Sequence, residues 1–532
     1  MPQKIILISG PVCSGKTKLA NNLKEKFDAH VIKTVEILSR RGAILLGDRL
    51  ALQKEGEHQD KVTEGRWVLD ELSKVVRVAP QNTTFVVDSV RIAEQIRHIR
   101  AAYSPVTHIH LTAPPEELRK RYNRRYRGKG DIPSYDKVRE NKTEQNIESL
   151  KSIADVVIDT IRCKEGDILV RAASRISLYG QNITGYVDVI VGGQYGSEGK
   201  GQIAAYLAKE YDLHVRVGGP NAGHTVFEDP VPYIHHHLPS ATRRCTAHLL
   251  LGPGMVINVE KLLSEISDCE VEFNRLSIDP QAMVICEEDI ETENGVKESI
   301  GSTRQGVGKA TARRITERGS ESIKLAKDIP ELKPFICPAV DILTKVFARN
   351  GKVLLEGTQG TNLSLYHGEY PYVTSRDTTV SGCLAESGIS PARVRRVVMV
   401  CRTYPIRVEN PEESTSGPMG IEINWDEISR RSGIALLDLL ENEITSTTKR
   451  KRRVCEFDWE LLRKAAFLNT PTDIALTFTD YLSINNRRAM RYEQLTQDTI
   501  NFIEEIEHVS NARVSLIGTG FNSRSIIDRR DW

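Results

Sequence analysis

The stretch VDVIVGGQYGSEGKG, residues 187–201, decides the fold. Its first five residues are apolar and β-branched apart from one aspartate, which is typical of a buried strand. A glycine-rich loop follows with Lys200 near its end, and residues 202–208 have helical composition. Strand, glycine loop and helix form the layout of a phosphate site, because backbone N–H groups and a helix N-terminus favour an anion. The spacing is not the Walker pattern, and a glycine-rich turn without a ligand is a second interpretation of this stretch alone.

A second glycine turn lies at residues 216–225, RVGGPNAGHT, and carries an asparagine and a histidine. Further motifs follow in order: HLPS at 237–240, LGPG at 251–254, GSTRQGVG at 301–308, EGTQGT at 356–361, HGEYPYVTS at 367–375 and TTKRKR at 447–452. In this combination and order the motifs resemble those of adenylosuccinate synthetase. The resemblance covers roughly residues 185–532, and several independent motifs carry it.

This resemblance implies a two-step ligation in an α/β domain with a mostly parallel sheet. A nucleoside triphosphate phosphorylates O6 of a 6-oxopurine nucleotide, and the amino group of L-aspartate then displaces that phosphate. The first step needs N1 of the base deprotonated, together with Mg²⁺ and positive groups around the transferring phosphoryl group. The resemblance also implies a homodimer, because the family draws one arginine of the site from a partner subunit.

The matching motif positions carry the site residues that the resemblance implies. The catalytic positions are Ser197, Lys200, His224 and Gln359, where His224 would donate to the developing O6, and Gly223 would offer a carbonyl to Mg²⁺. The substrate nucleotide would contact Asn221, Thr303, Gln359 and Thr374, and the partner arginine matches Arg318 or Arg314. Aspartate would contact Thr448, Arg450 and Arg452. The donor nucleotide would contact Gly196, Glu198, Gly199, Lys200, Gly201, Asp480, Gly518, Thr519 and Gly520.

Ser197 is the most informative departure from the family, whose loop reads GDEGKG and uses the aspartate as general base and metal ligand. General-base catalysis contributes about 10²–10⁴-fold, so its loss needs an explanation. Serine is shorter and neutral, and its hydroxyl can accept a hydrogen bond from a purine 2-amino group. Similar phage and archaeal relatives, the 2-aminoadenylosuccinate synthetases, have a serine here and use dGMP in place of IMP. Two alternatives stay open: an ordinary IMP-using enzyme, and a nucleotide sensor that has lost the reaction.

The donor and aspartate loops depart from the family as well. Residues 477–480, TFTD, stand where the family reads Thr-Lys-Leu-Asp and selects the guanine of GTP. Asp480 keeps a carboxylate that can accept from guanine, whereas Phe478 replaces the lysine. The candidate donors are therefore GTP, ATP and dATP. In the aspartate loop Lys449 replaces a glycine, and a solvated face or a nucleic-acid patch is the alternative interpretation of this basic run.

Length, charge and cysteine usage limit the class of protein. A chain of 532 residues is too long for one ordinary domain. The net charge of +2 provides no global field that would demand a nucleic-acid or membrane partner, and no apolar run reaches transmembrane length. The nine cysteines are scattered without a CxxC pair. We therefore expect reduced thiols in a cytoplasmic protein.

A second phosphate site is predicted near the amino terminus. Residues 4–9, KIILIS, are a candidate buried strand, and residues 10–17, GPVCSGKT, fit the P-loop pattern at every position before a helical run. In such a loop the backbone amides cradle phosphates, Lys16 neutralises phosphate charge and the Thr17 hydroxyl can hold Mg²⁺. The expected contacts are Gly10, Ser14, Gly15, Lys16 and Thr17.

The residues around this P-loop resemble the small kinases of the nucleoside-monophosphate and dephospho-coenzyme-A type. Asp88 ends a further predicted strand and suits a metal or water contact, and a basic segment with Arg124 corresponds to a kinase lid. A helix-capping Asp88 and a solvated or nucleic-acid-binding basic face are the alternatives. We predict an α/β protein of two domains, a P-loop kinase-like domain at 1–180 and a synthetase-like domain with a mostly parallel sheet at 181–532, with no nucleic-acid partner.

Overall fold

The computed structural model describes the chain except residues 1–3, 82, 128–132, 179–185, 228–230, 296–300, 412–413, 446–449, 522 and 532. The chain divides into two compact units, Met1–Gln181 and Asn182–Trp532. We refer to them as the amino-terminal and the carboxy-terminal unit. Both are α/β, so the predicted fold class is confirmed.

The amino-terminal unit is built on one parallel sheet. Its strands are β1 (Lys4–Ser9), β2 (His30–Lys33), β3 (Thr84–Asp88), β4 (Val106–Thr112) and β5 (Val156–Asp159). Its helices are α1 (Lys16–Phe27), α2 (Thr34–Gly42), α3 (Arg49–Thr63), α4 (Trp67–Val78), α5 (Ala93–Ala102), α6 (Pro115–Arg125), α7 (Tyr135–Arg139), α8 (Lys142–Asn146) and α9 (Glu165–Arg175). The strand order is β2-β3-β1-β4-β5. Successive residues of β1 point to opposite faces, so Ile5 and Leu7 join one apolar cluster while Ile6 and Ile8 join another.

The carboxy-terminal unit contains sixteen further strands among the described residues. They are β6 (Val187–Gly192), β7 (Leu213–Arg216), β8 (His224–Val226), β9 (Tyr233–His235), β10 (His248–Leu251), β11 (Val256–Ile257), β12 (Leu276–Ile278), β13 (Met283–Val284), β14 (Val353–Glu356), β15 (Val394–Arg402), β16 (Ile406–Val408), β17 (Glu422–Ile423), β18 (Arg452–Cys455), β19 (Asp473–Thr477), β20 (Arg513–Gly518) and β21 (Ile526–Asp528). Nine of them form one sheet in the order β12-β10-β7-β14-β6-β15-β19-β20-β21. Only β21 pairs antiparallel within this sheet.

The described residues of this unit also form ten α-helices. They are α10 (Lys200–Leu207), α11 (Val259–Asp268), α12 (Glu287–Gly295), α13 (Val307–Thr316), α14 (Ala339–Ala348), α15 (Val380–Ser387), α16 (Trp425–Ser432), α17 (Leu436–Asn442), α18 (Trp459–Asn469) and α19 (Gln497–Ser510). The helix after the glycine loop starts at Lys200, two residues earlier than composition indicates, because the loop ends in a left-handed turn at Gly199 with φ of 90°. No described helix is long and apolar enough to cross a membrane.

Strand β6 occupies the centre of the large sheet, and its continuous apolar run reflects burial on both faces. Val187, Val189 and Val191 belong to the largest apolar cluster, whereas Ile190 packs on the opposite face. Every residue of β6 is buried, as expected for a central parallel strand covered by helices. The glycine loop that follows β6 therefore starts from a rigid position in the middle of the sheet.

Candidate active site

Four neighbouring strands, β7, β14, β6 and β15, end at one edge of the sheet, and the segments that follow them line a pocket of about 600 Å³. All four strands are parallel, so their carboxyl ends meet there. Open α/β sheets bind ligands in the crevice outside these ends. Among the residues that line the pocket are Ser197, Lys200, His224, Gln359 and Arg452. The structure thus brings together residues that are up to 255 positions apart in the sequence.

The loop between β6 and α10 is folded around the carboxylate of Glu198. One carboxylate oxygen accepts from the backbone N–H groups of Gln194 (3.1 Å) and Gly196 (2.7 Å). The Thr477 hydroxyl donates to the Glu198 carbonyl at 2.7 Å. Because the Glu198 side chain is fully buried, it braces the loop from inside and is not presented to the pocket.

Lys200 and Ser197 occupy the pocket side of this loop. The Lys200 ammonium lies 2.6 Å from the other oxygen of Glu198, and both side chains are buried. A buried ammonium needs an anionic partner, and Glu198 supplies it. Ser197 has a positive φ of 56° and an exposed side chain, and its hydroxyl oxygen lies 3.4 Å from a guanidinium nitrogen of Arg452.

His224 belongs to a buried cluster with Glu356, Arg216 and Ser240. Its Nδ1 lies within hydrogen-bond distance of Glu356, which also accepts from Arg216 at 2.9 Å and from the backbone N–H of Ser240 at 2.8 Å. Glu356 and Arg216 are direct neighbours because they end the paired strands β14 and β7 in register. This cluster fixes the imidazole so that Nδ1–H donates to the carboxylate and Nε2 is left for the pocket.

Burial and the neighbouring charges set the protonation of this cluster. Burial, followed by the charge of Arg216, lowers the pKa of His224 well below its usual value although Glu356 acts in the opposite direction. Burial alone would raise the pKa of Glu356, but Arg216 and the hydrogen bonds from His224 and Ser240 outweigh it, so the pKa is lowered. His224 is therefore neutral and Glu356 ionised near pH 7 in the ligand-free protein.

Four side chains predicted to hold the substrate nucleotide line the same pocket, namely Asn221, Thr303, Gln359 and Thr374. The Asn221 amide nitrogen lies 3.5 Å from the Thr374 hydroxyl, and its carbonyl oxygen is buried without a hydrogen-bond partner. A buried unpaired acceptor costs free energy, so a ligand that donates to Asn221 would remove that cost. Gln359 takes a positive φ of 59° beside the glycine loop.

The candidates for the partner arginine lie outside this pocket. Arg318 is exposed just after the end of α13, and Arg314 donates to the Pro253 carbonyl at 3.3 Å. An arginine that serves a second subunit would have to be on the surface of its own chain, as Arg318 is.

The predicted aspartate loop is described only from Arg450 onward. Thr448 lies outside the described residues, and the backbone N–H of Arg450 donates to the Thr445 hydroxyl at 2.9 Å. Arg452 lines the pocket and donates to the buried Glu443 at 2.8 Å. The structure therefore places Arg452 beside the pocket and holds it with a carboxylate, which leaves part of its guanidinium fork for an anion.

The predicted donor-base positions lie at the ends of β19 and β20. Asp480 is buried and accepts from Arg487 at 3.0 Å, and burial raises the pKa of Asp480 even though Arg487 opposes the shift. Gly518 ends β20, and the carbonyl of Ser525 accepts from the backbone N–H of Thr519 at 2.7 Å. Gly520 follows in the same turn, whose described residues continue to Phe521.

The magnesium ion implied by the family would have two neutral oxygen donors here. The Ser197 hydroxyl and the Gly223 carbonyl belong to residues that line the pocket, whereas the Glu198 carboxylate in the same loop is committed to backbone amides and Lys200. Among the described residues no group of three His, Cys, Asp or Glu side chains forms a metal cage. Because Mg²⁺ usually takes few protein ligands and several phosphate oxygens, this donor set fits an ion held mainly by a nucleotide.

In the amino-terminal unit the P-loop connects β1 to α1. Lys16 is buried, and its ammonium donates to the carbonyls of Gly10 and Pro11, both at 2.7 Å. Burial, followed by the charge of Arg91, lowers the pKa of Lys16 to about 8. The Ser14 hydroxyl is buried without a partner. A buried lysine at the start of the helix after a strand and a glycine loop is the arrangement of a phosphate-binding loop.

The residues expected around this P-loop separate into two groups. The Thr17 hydroxyl donates to Asp88 at 2.8 Å, so the two oxygen groups fit a shared Mg²⁺ contact. Arg91 forms an ion pair with the buried Glu144, which also accepts from the Val12 backbone N–H. By contrast, Arg124 is exposed at the end of α6.

The sequence motifs gave no role to the buried charged residues that contact and orient the side chains of the pocket. Glu356 and Arg216 lie within the quoted motifs, and each is the charged last residue of a buried strand, which is a usable signal. Arg402 likewise ends β15, is fully buried and donates to Glu443 at 2.7 Å. No local sequence pattern indicates the role of Glu443. It directly follows a helix, and its partner Arg402 is 41 positions away in the sequence.

The glycine loop, the sheet edge and the paired His224 and Glu356 define a nucleotide-binding α/β protein. A family model described as adenylosuccinate synthetase matches residues 189–331 and 321–488, and one described as AAA domain matches residues 6–133. The adenylosuccinate synthetase of Pyrococcus sp. (strain ST700) is 38% identical over 352 residues, which are 64% of this chain and 98% of the relative. That of Methanocaldococcus jannaschii is also 38% identical, over 64% of this chain and 96% of the relative.

Two solved structures share the fold of the carboxy-terminal unit. The cyanophage S-2L succinoaminodeoxyadenylate synthetase, bound to dGMP and to dATP as an energy donor, is 28% identical with a TM-score of 0.54 and covers 65% of this chain and 96% of its own. The fully ligated adenylosuccinate synthetase from Plasmodium falciparum is 22% identical with a TM-score of 0.56, over 65% of this chain and all of its own. The chain belongs to the adenylosuccinate synthetase family of ligases and carries an additional P-loop kinase-like domain.

Proposed function

We propose that the carboxy-terminal unit ligates L-aspartate to a 2-amino-6-oxopurine nucleotide, dGMP or GMP, in preference to IMP. The observation that carries this proposal is Ser197, which points into the pocket at the position of the family's catalytic aspartate. A serine hydroxyl can accept from the 2-amino group, whereas a carboxylate there would crowd it. The S-2L synthetase, which was solved with dGMP, supports this assignment, although the archaeal relatives are ordinary adenylosuccinate synthetases by name.

The surroundings of Ser197 also suit a neutral residue. Arg452 lies 3.4 Å from the hydroxyl and is already paired with Glu443. An aspartate at position 197 would compete with Glu443 for this guanidinium, and it would draw Arg452 away from an incoming aspartate substrate. With serine, Arg452 stays available to the substrate carboxylate, for which its planar fork is suited.

His224 supplies the proton-transfer group of the proposed reaction. It is neutral in the free protein because burial and Arg216 lower its pKa. Negative charge that develops at O6 and on the transferring phosphoryl group offsets Arg216, so Nε2 can take up the proton that N1 of the base loses and then donate a hydrogen bond to that charge. Glu356 keeps the ring oriented throughout, because it binds the opposite nitrogen.

The donor triphosphate is assigned to the loop at 193–199 and to Lys200. The S-2L relative is bound to dATP, and GTP is the family's usual donor, so both bases are candidates. The Ser197 hydroxyl and the Gly223 carbonyl would hold Mg²⁺ together with the phosphates. When bound, this ion would supply positive charge at the transferring phosphoryl group.

The test is aspartate-dependent product formation, read by mass, with dGMP, GMP or IMP as acceptor and Mg²⁺ with GTP or ATP as donor. We expect turnover with dGMP or GMP and at least tenfold less with IMP. The Ser197→Asp variant should shift the preference toward IMP, and Ser197→Ala should lower the efficiency with dGMP more than the efficiency with IMP. Turnover with IMP alone would reject the selection by Ser197. Nucleotide binding without turnover would identify a sensor in place of a ligase.

We further propose that the ligase is a homodimer in which Arg318 serves the partner's pocket. The exposure of Arg318 after α13 supports this arrangement. Light scattering on the purified chain should give twice the 59.7 kDa chain mass, and Arg318→Ala should raise the KM for the acceptor nucleotide. A monomer with full activity would refute the shared site.

For the amino-terminal unit we propose phosphoryl transfer from a nucleoside triphosphate to a purine (deoxy)nucleoside monophosphate. The support is a complete P-loop with Lys16, Thr17 and Asp88 assembled at one strand edge. The measurement is phosphotransfer to dGMP, GMP or AMP without L-aspartate. It is monitored by the nucleoside diphosphate that forms from each acceptor. The Lys16→Ala variant should abolish it, and Lys24→Ala on the same helix is the matched control. If no monophosphate is phosphorylated, the assigned acceptor class is wrong.

A further inference from the structure

Three half-buried aromatic rings form a row at the carboxyl edge of the large sheet. Phe227 follows β8, Phe478 follows β19 and Phe521 follows β20. The ring centroids of Phe227 and Phe521 are 4.9 Å apart, and those of Phe478 and Phe521 are 5.7 Å apart. These separations fall within the range of favourable aromatic contacts. A row of accessible rings at a strand edge is a stacking surface for a flat, electron-rich group such as a nucleobase.

This aromatic row is connected to the proposed phosphate loop. Thr477, the residue before Phe478, donates to the Glu198 carbonyl at 2.7 Å. Arg402 places its guanidinium 4.0 Å from the Phe478 ring centroid and also lies 3.4 Å from the Ser197 carbonyl. Strands β19 and β20 are two and three positions from β6, so their ends are about 10 and 14 Å from the loop at ordinary strand spacing. A ribose and a phosphate chain span such a distance.

Beside the row, the carboxylate that could read guanine is not available. Asp480 is buried, with a side-chain exposure of 2%, and accepts from the Arg487 guanidinium at 3.0 Å. Arg487 itself is on the surface with 35% of its side chain exposed. A guanine that approached Asp480 would therefore have to displace Arg487 before its N1–H and 2-amino group could find an acceptor.

We propose that the Asp480–Arg487 pair makes adenine preferred to guanine as the base of the donor nucleotide, which the family resemblance places at the end of β19 and which would stack on the Phe227, Phe478 and Phe521 row. Stacking on aromatic rings does not distinguish the two bases strongly, because every base has a π face. Hydrogen bonding does distinguish them. Buried guanine would leave its N1–H and its 2-amino group without an acceptor, and adenine has neither of these two groups. Because the donor's phosphates are those of the ligase described above, this assignment rests on the proposed function.

The experiment compares ATP, dATP and GTP as donors for aspartate-dependent product formation by the full chain at saturating acceptor nucleotide and L-aspartate. Only product that contains aspartate is counted, so turnover at the amino-terminal P-loop does not register. We expect kcat/KM for ATP or dATP to exceed that for GTP by about tenfold. The Arg487→Ala variant releases Asp480 and should raise kcat/KM for GTP by about tenfold. The matched control is Arg488→Ala, which removes the neighbouring exposed arginine and should change neither donor.

A second variant tests the stacking surface itself. Phe478→Ala should raise the KM for ATP severalfold and leave the KM for L-aspartate unchanged. Equal or better use of GTP by the unmodified chain would overturn the proposed preference, and so would an Arg487→Ala variant that gains nothing with GTP. If no donor gives product, the proposed ligase function fails. Equilibrium dialysis with ATP and GTP in a Lys16→Ala chain then still decides the base preference. Tighter binding of ATP supports the preference for adenine, and tighter binding of GTP overturns it.

Discussion

At the scale of single residues, buried carboxylates orient the basic groups of the pocket before any ligand arrives. Glu356 holds His224, Glu443 holds Arg452 and Glu198 holds Lys200. Each carboxylate is at least 98% buried. Preorganised groups of this kind stabilise developing charge without reorganising during the reaction. The carboxylates would therefore act on catalysis through the side chains they position.

The pair of Glu356 and His224 gives a direct prediction. Glu356→Gln should lower kcat of aspartate-dependent turnover on the order of 100-fold, because the amide no longer fixes the proton on Nδ1 of the ring. In a His224→Ala background the same Glu356→Gln change should cost much less, since a residue that acts through His224 cannot act once the imidazole is gone. The measurement is kcat for the four members of this cycle.

Loss of structure must be separated from loss of positioning in this cycle. Glu356→Gln also leaves Arg216 without its buried counter-charge, which is destabilising, so thermal unfolding and acceptor binding are measured on all variants. Additive losses of kcat in folded proteins would show that Glu356 does not act through His224.

The sequence predicts some of these residues and not their partners. His224 and Lys200 can be assigned from motifs because backbone loops of fixed spacing carry them. Glu356 meets His224 across 132 residues, and Glu443 meets Arg402 across 41 residues, only through sheet pairing and tertiary contact. Glu198 shows the reverse case, because its motif suggests a ligand contact whereas its side chain braces the loop. Motifs identify positions, and tertiary packing decides which way a side chain points.

At the scale of elements, the two phosphate loops follow the same local rule. A buried parallel strand ends, a glycine-rich turn follows and a helix begins at a lysine, Lys16 in α1 and Lys200 in α10. Strong apolar runs and glycine punctuation make these elements predictable, and the predicted strands at 4–9 and 187–191 are observed with their ends displaced by at most one residue. The short strands β8 and β11, by contrast, have two or three residues each and carry no such pattern.

Packing of one element against another predicts the effect of Gly360→Ala. A Cβ at position 360 would lie 2.4 Å from the Gln194 carbonyl oxygen and 2.5 Å from the Gly196 nitrogen, so the donor loop would have to move. A displacement of about 1 Å at a reacting group costs on the order of 100-fold in rate. We expect that loss in aspartate-dependent turnover, with phosphotransfer at the amino-terminal P-loop unchanged.

The control for this substitution is Gly166→Ala in α9, where an added Cβ meets nothing within 4 Å. Alanine is favoured over glycine within a helix, so this variant should keep both activities. Full ligase activity in Gly360→Ala would mean that the loop tolerates the displacement and that its observed conformation is not required.

At the scale of the whole molecule, each unit has its own apolar cores. The clusters that cover the five-stranded sheet contain only residues before position 181, and those of the nine-stranded sheet contain only later residues. A unit with its own core can unfold on its own. The division into two domains could be predicted from the length of the chain and from its two phosphate motifs. The burial and the neutral state of the core histidines could not be predicted, because a histidine within an apolar run looks the same in the sequence whether it is neutral or charged.

Buried neutral histidines make the amino-terminal unit sensitive to acid. His108 and His110 on β4 are fully buried, and the Ser9 hydroxyl lies 2.6 Å and 2.8 Å from their ring nitrogens. Burial lowers the pKa of both to about 4, and Lys16, Lys151 and Arg100 act in the same direction while Asp155 and the Ile153 carbonyl oppose it at His108. If both imidazoles were protonated, the Ser9 hydroxyl would face two N–H donors and could no longer donate its own hydrogen to either ring.

The sign of the effect follows from these values. The unfolded chain takes up protons near pH 6.5 and the folded chain near pH 4, so stability is complete above pH 6.5 and is lost as the pH falls toward 4. Each histidine contributes at most about 1.4 kcal/mol per pH unit. Urea unfolding at pH 7.5 and pH 5.0 should therefore give a lower midpoint for this unit at pH 5.0, read by the fluorescence of the buried Trp67 in a chain whose other three tryptophans are replaced by phenylalanine. A His108→Gln, His110→Gln double variant should be less stable at pH 7.5 yet lose less between the two pH values. An equal loss in both proteins would place the acid sensitivity in other groups.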